Sequence, residues 1–236
     1  MPQYFIPAEN LRGGEFFAGP EESAHIARAA RARAGDEIEI FDGKGNRYRA
    51  VIKTVSGDAV SGSVGEKLPS PAYKTRITLC FAVVAKPALE EILEHCTEAG
   101  VDVFQPVMAS RVQFDLFSDW ERRAGRLNQV VLAAAKQCGR GLLPAVRKPE
   151  KLDDLLLAGG VSVFSTAEGP APDEAVKGLE GKTELKLFVG PEGGFTKGEL
   201  AFARDKGAVM MNLGLYTLRA ESACLAATSA LLTRLG

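Results

Sequence analysis

The sequence has few of the residues from which metal centres and hydrolytic sites are built. Its 236 residues include two histidines, four cysteines and one tryptophan. No two cysteines are spaced as a CxxC pair, which argues against a zinc ribbon or a dithiol redox site. Each cysteine lies in an apolar segment, so we expect all four to be buried, reduced thiols. With His25 and His95 as the only histidines, we expect neither a metal site nor a histidine triad.

Long apolar runs and an excess of one charge are also missing. No apolar run approaches the ~18 residues of a membrane span, and no N-terminal stretch resembles a secretory signal. We therefore expect a cytoplasmic protein with no membrane partner. The net charge is -1 and the pI about 6.2, so a nucleic-acid partner would require basic side chains that cluster in space.

Several common catalytic and nucleotide-binding motifs are absent from the sequence. There is no GxxxxGK[ST] phosphate loop, no GxGxxG after a predicted strand, no HExxH and no GxSxG. The familiar phosphate-binding, zinc-protease and serine-hydrolase sites are therefore not predicted.

The first part of the chain predicts a small β-rich domain. The predicted elements are a helix over residues 20–33 and strands over residues 37–41, 48–55 and 59–64. The segment that follows carries Pro69 and Pro71 in a polar stretch, which is typical of a linker. We therefore place a domain boundary there and predict a first domain over residues 1–71.

From residue 72 onward, predicted strands alternate with predicted helices. The strands cover residues 77–85, 101–107, 160–165, 185–189 and 208–212, and the helices cover residues 86–99, 119–138, 197–206 and 220–235. This alternation is typical of a mostly parallel sheet with helices on its faces. We predict an α/β domain over residues 72–236.

The strongest local signal is the loop that follows the predicted strand 185–189. It reads GPEGGFT, and its Gly193 and Gly194 allow the backbone to approach a ligand closely. Thr196 stands three residues before Glu199, the spacing of a capping box that begins a helix. Ligands of parallel sheets bind at the carboxyl ends of strands. The segment is either a ligand-binding loop or a plain turn with a helix cap.

Two further loops follow strands in the same way. In the loop before the last helix, Glu221 suits the positive end of the helix dipole, whereas Arg219 does not. Arg219 either faces an anion or a carboxylate, or is a surface arginine paired with Glu221. The loop at 164–169 is a weaker signal by itself. We expect the three loops to converge on one pocket.

These motifs resemble a known family. The segments FVGPEGG at 188–194 and LGLYTLRAESA at 213–223 are similar to the signature loops of SPOUT methyltransferases, and specifically of the ribosomal RNA small subunit methyltransferase E family. Segments at 25–45, 89–101 and 134–146 resemble the same family in the same order. Ser222 stands where threonine is more usual, and Tyr216 and Thr217 replace a more typical arginine–isoleucine pair. Ser222 keeps the hydroxyl, so the departures concern fine positioning.

The resemblance implies a fold and a function. The fold is a small PUA-like β-barrel domain followed by a SPOUT α/β domain that contains a deep trefoil knot. The cofactor is S-adenosylmethionine, held in a bent form by the three loops, and no metal is involved. The partners are 16S rRNA in the small ribosomal subunit and a second copy of the chain, with the active site near the subunit interface. The reaction is methylation of N3 of a uridine.

The resemblance also assigns roles to single residues. The predicted cofactor-binding residues are Ser165, Thr166, Gly190, Glu192, Gly193, Gly194, Leu213, Gly214 and Leu218. Arg219 is predicted to be catalytic by stabilising negative charge on the base. Glu221 is predicted either to orient Arg219 or to act as the base, and Glu192 is a rival for the base.

Methylation of a base within RNA requires an unpaired or flipped nucleotide and contacts to its backbone. The arginines predicted to make these contacts are Arg12, Arg28, Arg31, Arg33, Arg111 and Arg140. The alternative is that most of them are solvated surface charges.

Three other functions stay open from the sequence. The chain is either a knotted methyltransferase with another rRNA or tRNA target, a non-catalytic RNA-binding assembly factor, or a small-molecule α/β enzyme that uses a nucleotide. Intact Arg219 and Glu221 argue against the second, and the absence of a phosphate loop argues against the third. Binding of S-adenosylmethionine would separate a methyltransferase from the small-molecule enzyme, and modification of RNA would separate it from the assembly factor.

Overall fold

The computed structural model of the chain describes residues 3–29, 31–56, 59–113, 118 and 120–236. The chain packs as two compact units. Unit 1 comprises Met1–Pro71 and Leu132–Leu143, and unit 2 comprises Ala72–Val131 and Pro144–Gly236. The domain limits expected from the sequence are 1–71 and 72–236. They differ from the two units because they assign residues 132–143 to the second domain. Whether these limits bound independent domains stays a prediction.

Unit 1 is built on a six-stranded sheet. Its elements are β1 (Gln3–Phe5), β2 (Leu11–Arg12), β3 (Glu15–Phe17), α1 (Pro20–Ala24), β4 (Glu37–Phe41), β5 (Arg47–Ser56) and β6 (Ala59–Leu68). The strand order is β1-β4-β5-β6-β3-β2. Only the β1–β4 pair is parallel among these described strands. The sequence predicted β4, β5 and β6 and missed β1, β2 and β3, which have two or three residues each.

Alternating side chains of these strands form the core of unit 1. Ile38 and Ile40 of β4 are buried together with Phe16 of β3 and Ile52 of β5. The segment 132–143 joins this unit through its backbone. The amide of Leu143 donates to the carbonyl of Gly43 at 3.0 Å. Unit 1 therefore depends on a segment that is separated from its first part by residues 72–131.

The predicted helix over residues 20–33 is wrong for residues 31–33, and residue 30 lies outside the described residues. After α1 the chain makes a π-helical turn, His25–Ala29. Arg31 then has a left-handed backbone with φ of 53°. The amide of Gly35 donates to the carbonyl of Ile52 at 2.8 Å. Pairing of Gly35 with β5 thus competes with continuation of the helix. Sequence signals for helix ends do not reveal such a tertiary contact.

Unit 2 alternates strands and helices as the sequence predicted. Its elements are β7 (Arg76–Ala82), α2 (Lys86–Ala99), β8 (Val103–Met108), α3 (Trp120–Cys138, which ends in unit 1), β9 (Ala145–Val146), β10 (Glu150–Lys151), α4 (Leu152–Leu157), β11 (Ser162–Ser165), α5 (Pro172–Ala175), β12 (Glu184–Val189), α6 (Lys197–Asp205), β13 (Val209–Met211) and α7 (Ala220–Leu235). The short elements β9, β10, α4 and α5 were not predicted. Asp119, the predicted start of α3, lies outside the described residues.

The second sheet is parallel throughout its described pairs, with the order β10-β8-β7-β12-β11-β13 and β9 beside β8. Its central strands are continuous apolar runs because helices cover both faces of a parallel sheet. The α/β class predicted from the sequence is confirmed. β12 pairs with β7 on one side and with β11 on the other, and β11 pairs with β13. The carboxyl ends of β12, β11 and β13 are therefore neighbours at one edge of the sheet.

Three of the four cysteines are buried free thiols, as expected, but Cys138 is exposed. Cys138 is the last residue of α3, and its neighbours Lys136, Gln137 and Arg140 are polar, so the expectation of a buried thiol was wrong at this position. Burial raises the pKa of Cys96 to about 12, although a hydrogen bond with Thr228 opposes the shift. In the described part of the chain, no group of three or more acidic, histidine or cysteine side chains could hold a metal ion. No described helix is both long and apolar enough to cross a bilayer.

Candidate active site

Three loops of unit 2 enclose one cavity of about 400 Å³. They follow β11, β12 and β13, whose carboxyl ends lie side by side in the sheet. Residues 165–168, 189–194 and 212–218 line the cavity, together with Phe195, Leu200, Ala220 and Ala223. The volume falls in the range of small-molecule sites, roughly 300–1,000 Å³. The predicted convergence of the three loops is present in the structure.

All nine residues predicted to bind the cofactor line this cavity. They are Ser165, Thr166, Gly190, Glu192, Gly193, Gly194, Leu213, Gly214 and Leu218. Their contact with a cofactor stays a prediction. The sequence analysis did not assign Glu168, Asn212, Phe195 or Tyr216 to the cofactor site, although these residues also line the cavity. All four lie in or next to the loops that follow the predicted strands, which is the signal that would have found them.

Asn212 links the loop after β13 to the loop after β11. Its side-chain amide donates to the carbonyl of Ala167 at 3.2 Å, and its amide oxygen accepts from the backbone of Gly214 at 2.9 Å. Its own backbone amide donates to the carbonyl of Pro170 at 2.7 Å. One side chain therefore fixes the relative position of two walls of the cavity.

Gly169 lets the same two segments approach each other. A Cβ atom at this position would lie 2.4 Å from the backbone nitrogen of Met211 and 2.6 Å from the carbonyl carbon of Met210. Both are backbone atoms of the sheet, so they cannot move aside in the way that the end of a flexible side chain can. Only glycine fits here while β13 and the loop after β11 keep their spacing.

An aromatic cluster lies beneath the cavity. Phe164 of β11 stacks on Phe188 of β12 with ring centroids 4.5 Å apart, and Phe195 packs at 5.0 Å from Phe164. Phe164 and Phe188 are fully buried. A Cβ at Gly190 would come within 3.1 Å of the Phe195 ring, so the strand-to-loop turn packs directly on this cluster.

The predicted capping box at the start of α6 is confirmed. The hydroxyl of Thr196 accepts from the amide of Glu199 at 3.1 Å, and the carboxylate of Glu199 accepts from the amide of Thr196 at 2.6 Å. The second carboxylate oxygen of Glu199 accepts from the amide of Ser110 at 2.8 Å. The carboxylate thus joins α6 to the segment after β8.

Glu199 keeps its charge despite being only 9% exposed. Burial is the largest influence and raises its pKa, but the hydrogen bonds from Ser110 and Thr196 together outweigh it and leave the pKa lowered. A lowered pKa in the folded state means that the carboxylate stabilises the fold above the ordinary glutamate pKa of about 4.3. That contribution is lost as the pH falls through the lowered value.

Arg111 contacts the glycine-rich loop from the same side. Its guanidinium donates to the carbonyl of Gly193. A Cβ at Gly193 would lie 3.3 Å from Cδ of Arg111, so the two residues are closely packed. Arg111, predicted to bind RNA, therefore lies against a loop of the cavity.

The charged side chains that line the cavity are acidic. Glu168 forms an ion pair with Arg204, whereas Glu192 is exposed and has no ion pair with another described residue. No lysine or arginine is among the described lining residues. Such a lining suits a ligand that carries positive charge. The arginines next to it, Arg111 and Arg219, are not lining residues.

Arg219 and Glu221 lie at the start of α7, beside the cavity rather than in its lining. Arg219 is the residue that precedes the helix, and its exposed side chain is flanked in sequence by two lining residues, Leu218 and Ala220. Glu221 is half-buried in the first turn. Among the described residues the two side chains form no ion pair with each other, so the alternative of a paired surface arginine has no support.

The arginines predicted to contact RNA fall mainly in unit 1. Arg12, Arg28, Arg31, Arg33 and Arg140 belong to that unit, and Arg111 belongs to unit 2. The first four are exposed and Arg140 is half-buried. Their contact with RNA stays a prediction.

Two sequence families match the chain. The RNA methyltransferase domain family matches residues 71–232, and the RNA methyltransferase PUA domain family matches residues 17–64. The first match covers more than half of the chain and includes all three loops of the cavity. The chain is therefore an RNA methyltransferase family member with a PUA-like first domain.

Several relatives share one name. A protein of Mycobacterium bovis named Ribosomal RNA small subunit methyltransferase E is 30% identical over 228 residues, which cover 89% of this chain and 83% of the relative. The protein of that name from Aquifex aeolicus is 28% identical, covering 95% of this chain and 97% of its own. A Synechocystis relative is longer, and the match covers 66% of it. The chain belongs to the Ribosomal RNA small subunit methyltransferase E family.

The fold of the whole chain is similar to that of a solved structure. The crystal structure of a Ribosomal RNA small subunit methyltransferase E from Neisseria gonorrhoeae, bound to S-adenosyl methionine, has a TM-score of 0.88 to this chain. The two sequences are 24% identical, and the superposition covers 100% of this chain and 98% of the other.

Replacement of Gly169 by alanine should weaken the fold around the cavity. The added methyl group would overlap the backbone of Met211, so β13 and the loop after β11 must separate. We expect Gly169→Ala to lower the free energy of unfolding by about 1–3 kcal/mol, measured by urea denaturation. Gly178→Ala is the matched control, because a Cβ there would have no heavy atom within 4 Å. Equal stability of the two variants would contradict the tight approach at Gly169.

Proposed function

We propose that the chain transfers a methyl group from S-adenosylmethionine to N3 of a uridine in 16S rRNA of the small ribosomal subunit. The observation that carries the proposal is the cavity that the loops after β11, β12 and β13 form together, in a chain whose family is that of rRNA small subunit methyltransferases. The proposal includes a cytoplasmic location, where ribosomal subunits are found, and the deep trefoil knot that the family resemblance implies.

The cavity fits the proposed cofactor in size, polarity and charge. S-adenosylmethionine combines an adenine ring, a ribose and a positively charged sulfonium. Backbone groups of Gly190, Gly193 and Leu213 at the lining offer hydrogen-bond partners for the adenine and ribose. Glu192 provides a carboxylate without an ion pair among the described residues, which suits a cationic ligand. The acidic lining disfavours the alternative of a small-molecule enzyme that binds a nucleotide polyphosphate.

When bound, the cofactor supplies an electrophilic methyl group on sulfur. Uridine N3 carries a proton at neutral pH and is a poor nucleophile, so the chain must stabilise the anion left by that proton or help to remove it. We assign stabilisation of the developing charge on the base to Arg219, whose guanidinium is exposed beside the cavity. The bound cofactor would supply the methyl group that replaces the N3 proton, and that proton would pass to a base of the chain.

Two carboxylates are candidates for that base. Glu221 lies two residues beyond Arg219 and would either orient it or accept the proton. Glu192 lines the cavity and is exposed, which places its carboxylate with the glycine-rich loop.

The RNA-binding part of the proposal rests on unit 1. Arg12, Arg28, Arg31 and Arg33 are exposed in that unit, and Arg140 belongs to the segment that packs with it. Arginine side chains bind phosphates through a planar set of donors. We propose that these arginines hold the backbone of the rRNA.

We also propose that the chain acts as a homodimer with the active site near the subunit interface. The loop after β13 presents Leu215 and Tyr216, which are 96% and 86% exposed. Large apolar side chains so exposed in one loop are typical of an interface. Small residues of α7, such as Ala223 and Ala226, are half-buried and permit close packing of a second helix.

Incubation with methyl-labelled S-adenosylmethionine tests the function directly. The substrate is small ribosomal subunits that lack the modification, and the product is analysed by nucleoside mass spectrometry. We expect a new 3-methyluridine, and no incorporation into subunits that already carry it. A ribose-methylated nucleoside instead would show that the chain is a knotted methyltransferase with a different target. Absence of any methylated nucleoside, on subunits and on naked rRNA, would leave a non-catalytic assembly factor.

Arg219→Ala should abolish turnover while cofactor binding stays measurable. The guanidinium acts only on charge that develops on the base, so its loss raises the reaction barrier without removing a cofactor contact. Single-turnover methylation and calorimetric binding of S-adenosylmethionine measure the two effects. Arg76→Ala is the control, because Arg76 is an exposed arginine at the amino end of β7, opposite the cavity edge. Retained turnover in Arg219→Ala would remove Arg219 from the catalytic site.

RNA affinity should fall steeply as salt rises, because binding of arginine side chains to phosphates releases counterions. Replacement of Arg28, Arg31 and Arg33 by alanine should reduce the slope of log K against log salt by about 0.7 for each phosphate that the variant no longer binds. Arg76→Ala should leave the slope as in the wild type. Filter binding at a series of salt concentrations measures the slope, and a triple variant with the wild-type slope would contradict the assignment of these arginines to RNA.

A further inference from the structure

The glycine-rich loop after β12 is held from outside by the segment that follows β8. Two independent contacts make this connection. The amide of Ser110 donates to Oε1 of Glu199 at 2.8 Å, and the guanidinium of Arg111 donates to the carbonyl of Gly193. One contact fixes the helix that the loop enters, and the other fixes the loop itself. The loop 190–194 thus has an anchor within it, at Gly193, and another just beyond its end.

The carboxylate of Glu199 is the common point of the bonds at the start of α6. Its Oε2 accepts from Thr196 at 2.6 Å while its Oε1 accepts from Ser110. A carboxylate is an acceptor at both oxygens, so it satisfies two backbone amides at once. A glutamine could satisfy only one of them, because its NH2 group would face the other amide. Glu199 is 9% exposed, so solvent would not replace the missing partner.

Gly193 and Gly194 make such anchoring necessary. Gly194 has a φ of 67°, and glycines restrict the backbone least of all residues. The amide of Gly194 donates to the carbonyl of Pro191 at 2.7 Å, which closes the turn locally. Nothing in that local turn fixes the loop relative to the other two walls of the cavity. The contacts with Ser110 and Arg111 fix the loop and its helix to the segment after β8, a strand of the same sheet.

We propose that Arg111 and Glu199 are positioning residues that hold the loop 190–194 in the conformation that binds the cofactor. The end of β8 is then a fourth contributor to the site, beside the three strand-end loops. This inference rests on the proposed function, since it concerns binding of the proposed cofactor. It also assigns Arg111 to the cofactor loop instead of to RNA.

The first test uses Arg111→Ala, which leaves the core unchanged because the side chain is exposed. Binding of S-adenosylmethionine to the full chain is measured by calorimetry without RNA. We expect the affinity to fall about tenfold, which is the low end for loss of a charge-assisted hydrogen bond. RNA affinity and its salt slope should match the wild type. Arg76→Ala, another exposed arginine of unit 2, should bind the cofactor as the wild type does.

The opposite pattern would overturn the proposal. Arg111→Ala would then bind the cofactor with wild-type affinity but bind RNA more weakly and with a smaller salt slope. That result would show that Arg111 contacts RNA and does not position the cofactor loop. If the wild type itself binds no S-adenosylmethionine, the proposed function fails and this inference fails with it. If the wild type binds and Arg111→Ala binds equally well, only this inference fails.

A second readout needs neither cofactor nor activity. Hydrogen exchange of a peptide over residues 190–199 should be faster in Arg111→Ala and in Glu199→Gln than in the wild type. Peptides of β12 should keep their protection, which separates loss of loop positioning from general unfolding. Glu199→Asp, which keeps the carboxylate, should restore part of the protection that Glu199→Gln loses. Unchanged exchange of the loop in Arg111→Ala would overturn the proposal.

Discussion

The parallel pairing of β11 with both β12 and β13 is the constraint on which the candidate site depends. Parallel strands end at the same edge of a sheet, so this pairing brings together three loops that are far apart in sequence. The tight approach at Gly169 and the side chain of Asn212 then fix the spacing of two of these loops. The stacked rings of Phe164 and Phe188 fix the strands below. The cavity exists because each of these contacts holds.

Charge selects among the ligands that a cavity of this size would accept. Acidic side chains and backbone groups suit a cationic nucleoside such as S-adenosylmethionine, and the described lining offers no cationic side chain to a phosphate. Under our proposal, the two units therefore bind different ligands. The cofactor lies in unit 2 under our proposal, while the arginines assigned to RNA lie mainly in unit 1. Arg111 is the exception, and its contact with Gly193 explains why its assignment changes.

Sequence reasoning succeeded where a local pattern has one physical cause. Continuous apolar runs predicted the central strands of unit 2, and the Thr196–Glu199 spacing predicted the capping box. It failed where distant contacts decide the outcome. The helix from Pro20 ends early because Gly35 pairs with Ile52, and the two- and three-residue strands of unit 1 are too short to leave a periodic pattern. Cys138 is exposed at the end of α3, where polar residues flank it on both sides.

The sequence by itself determined the α/β class and the three strand-end loops, because strand ends and glycine-rich turns are local properties. Its family resemblance pointed to nine of the residues that line the cavity. Only the tertiary structure decided which other groups reach those loops. Ser110 lies 89 residues before Glu199, and Arg111 lies 82 residues before Gly193. No periodicity or spacing connects such positions; they meet because β8 and β12 both pair with β7 and end at the same edge of the sheet.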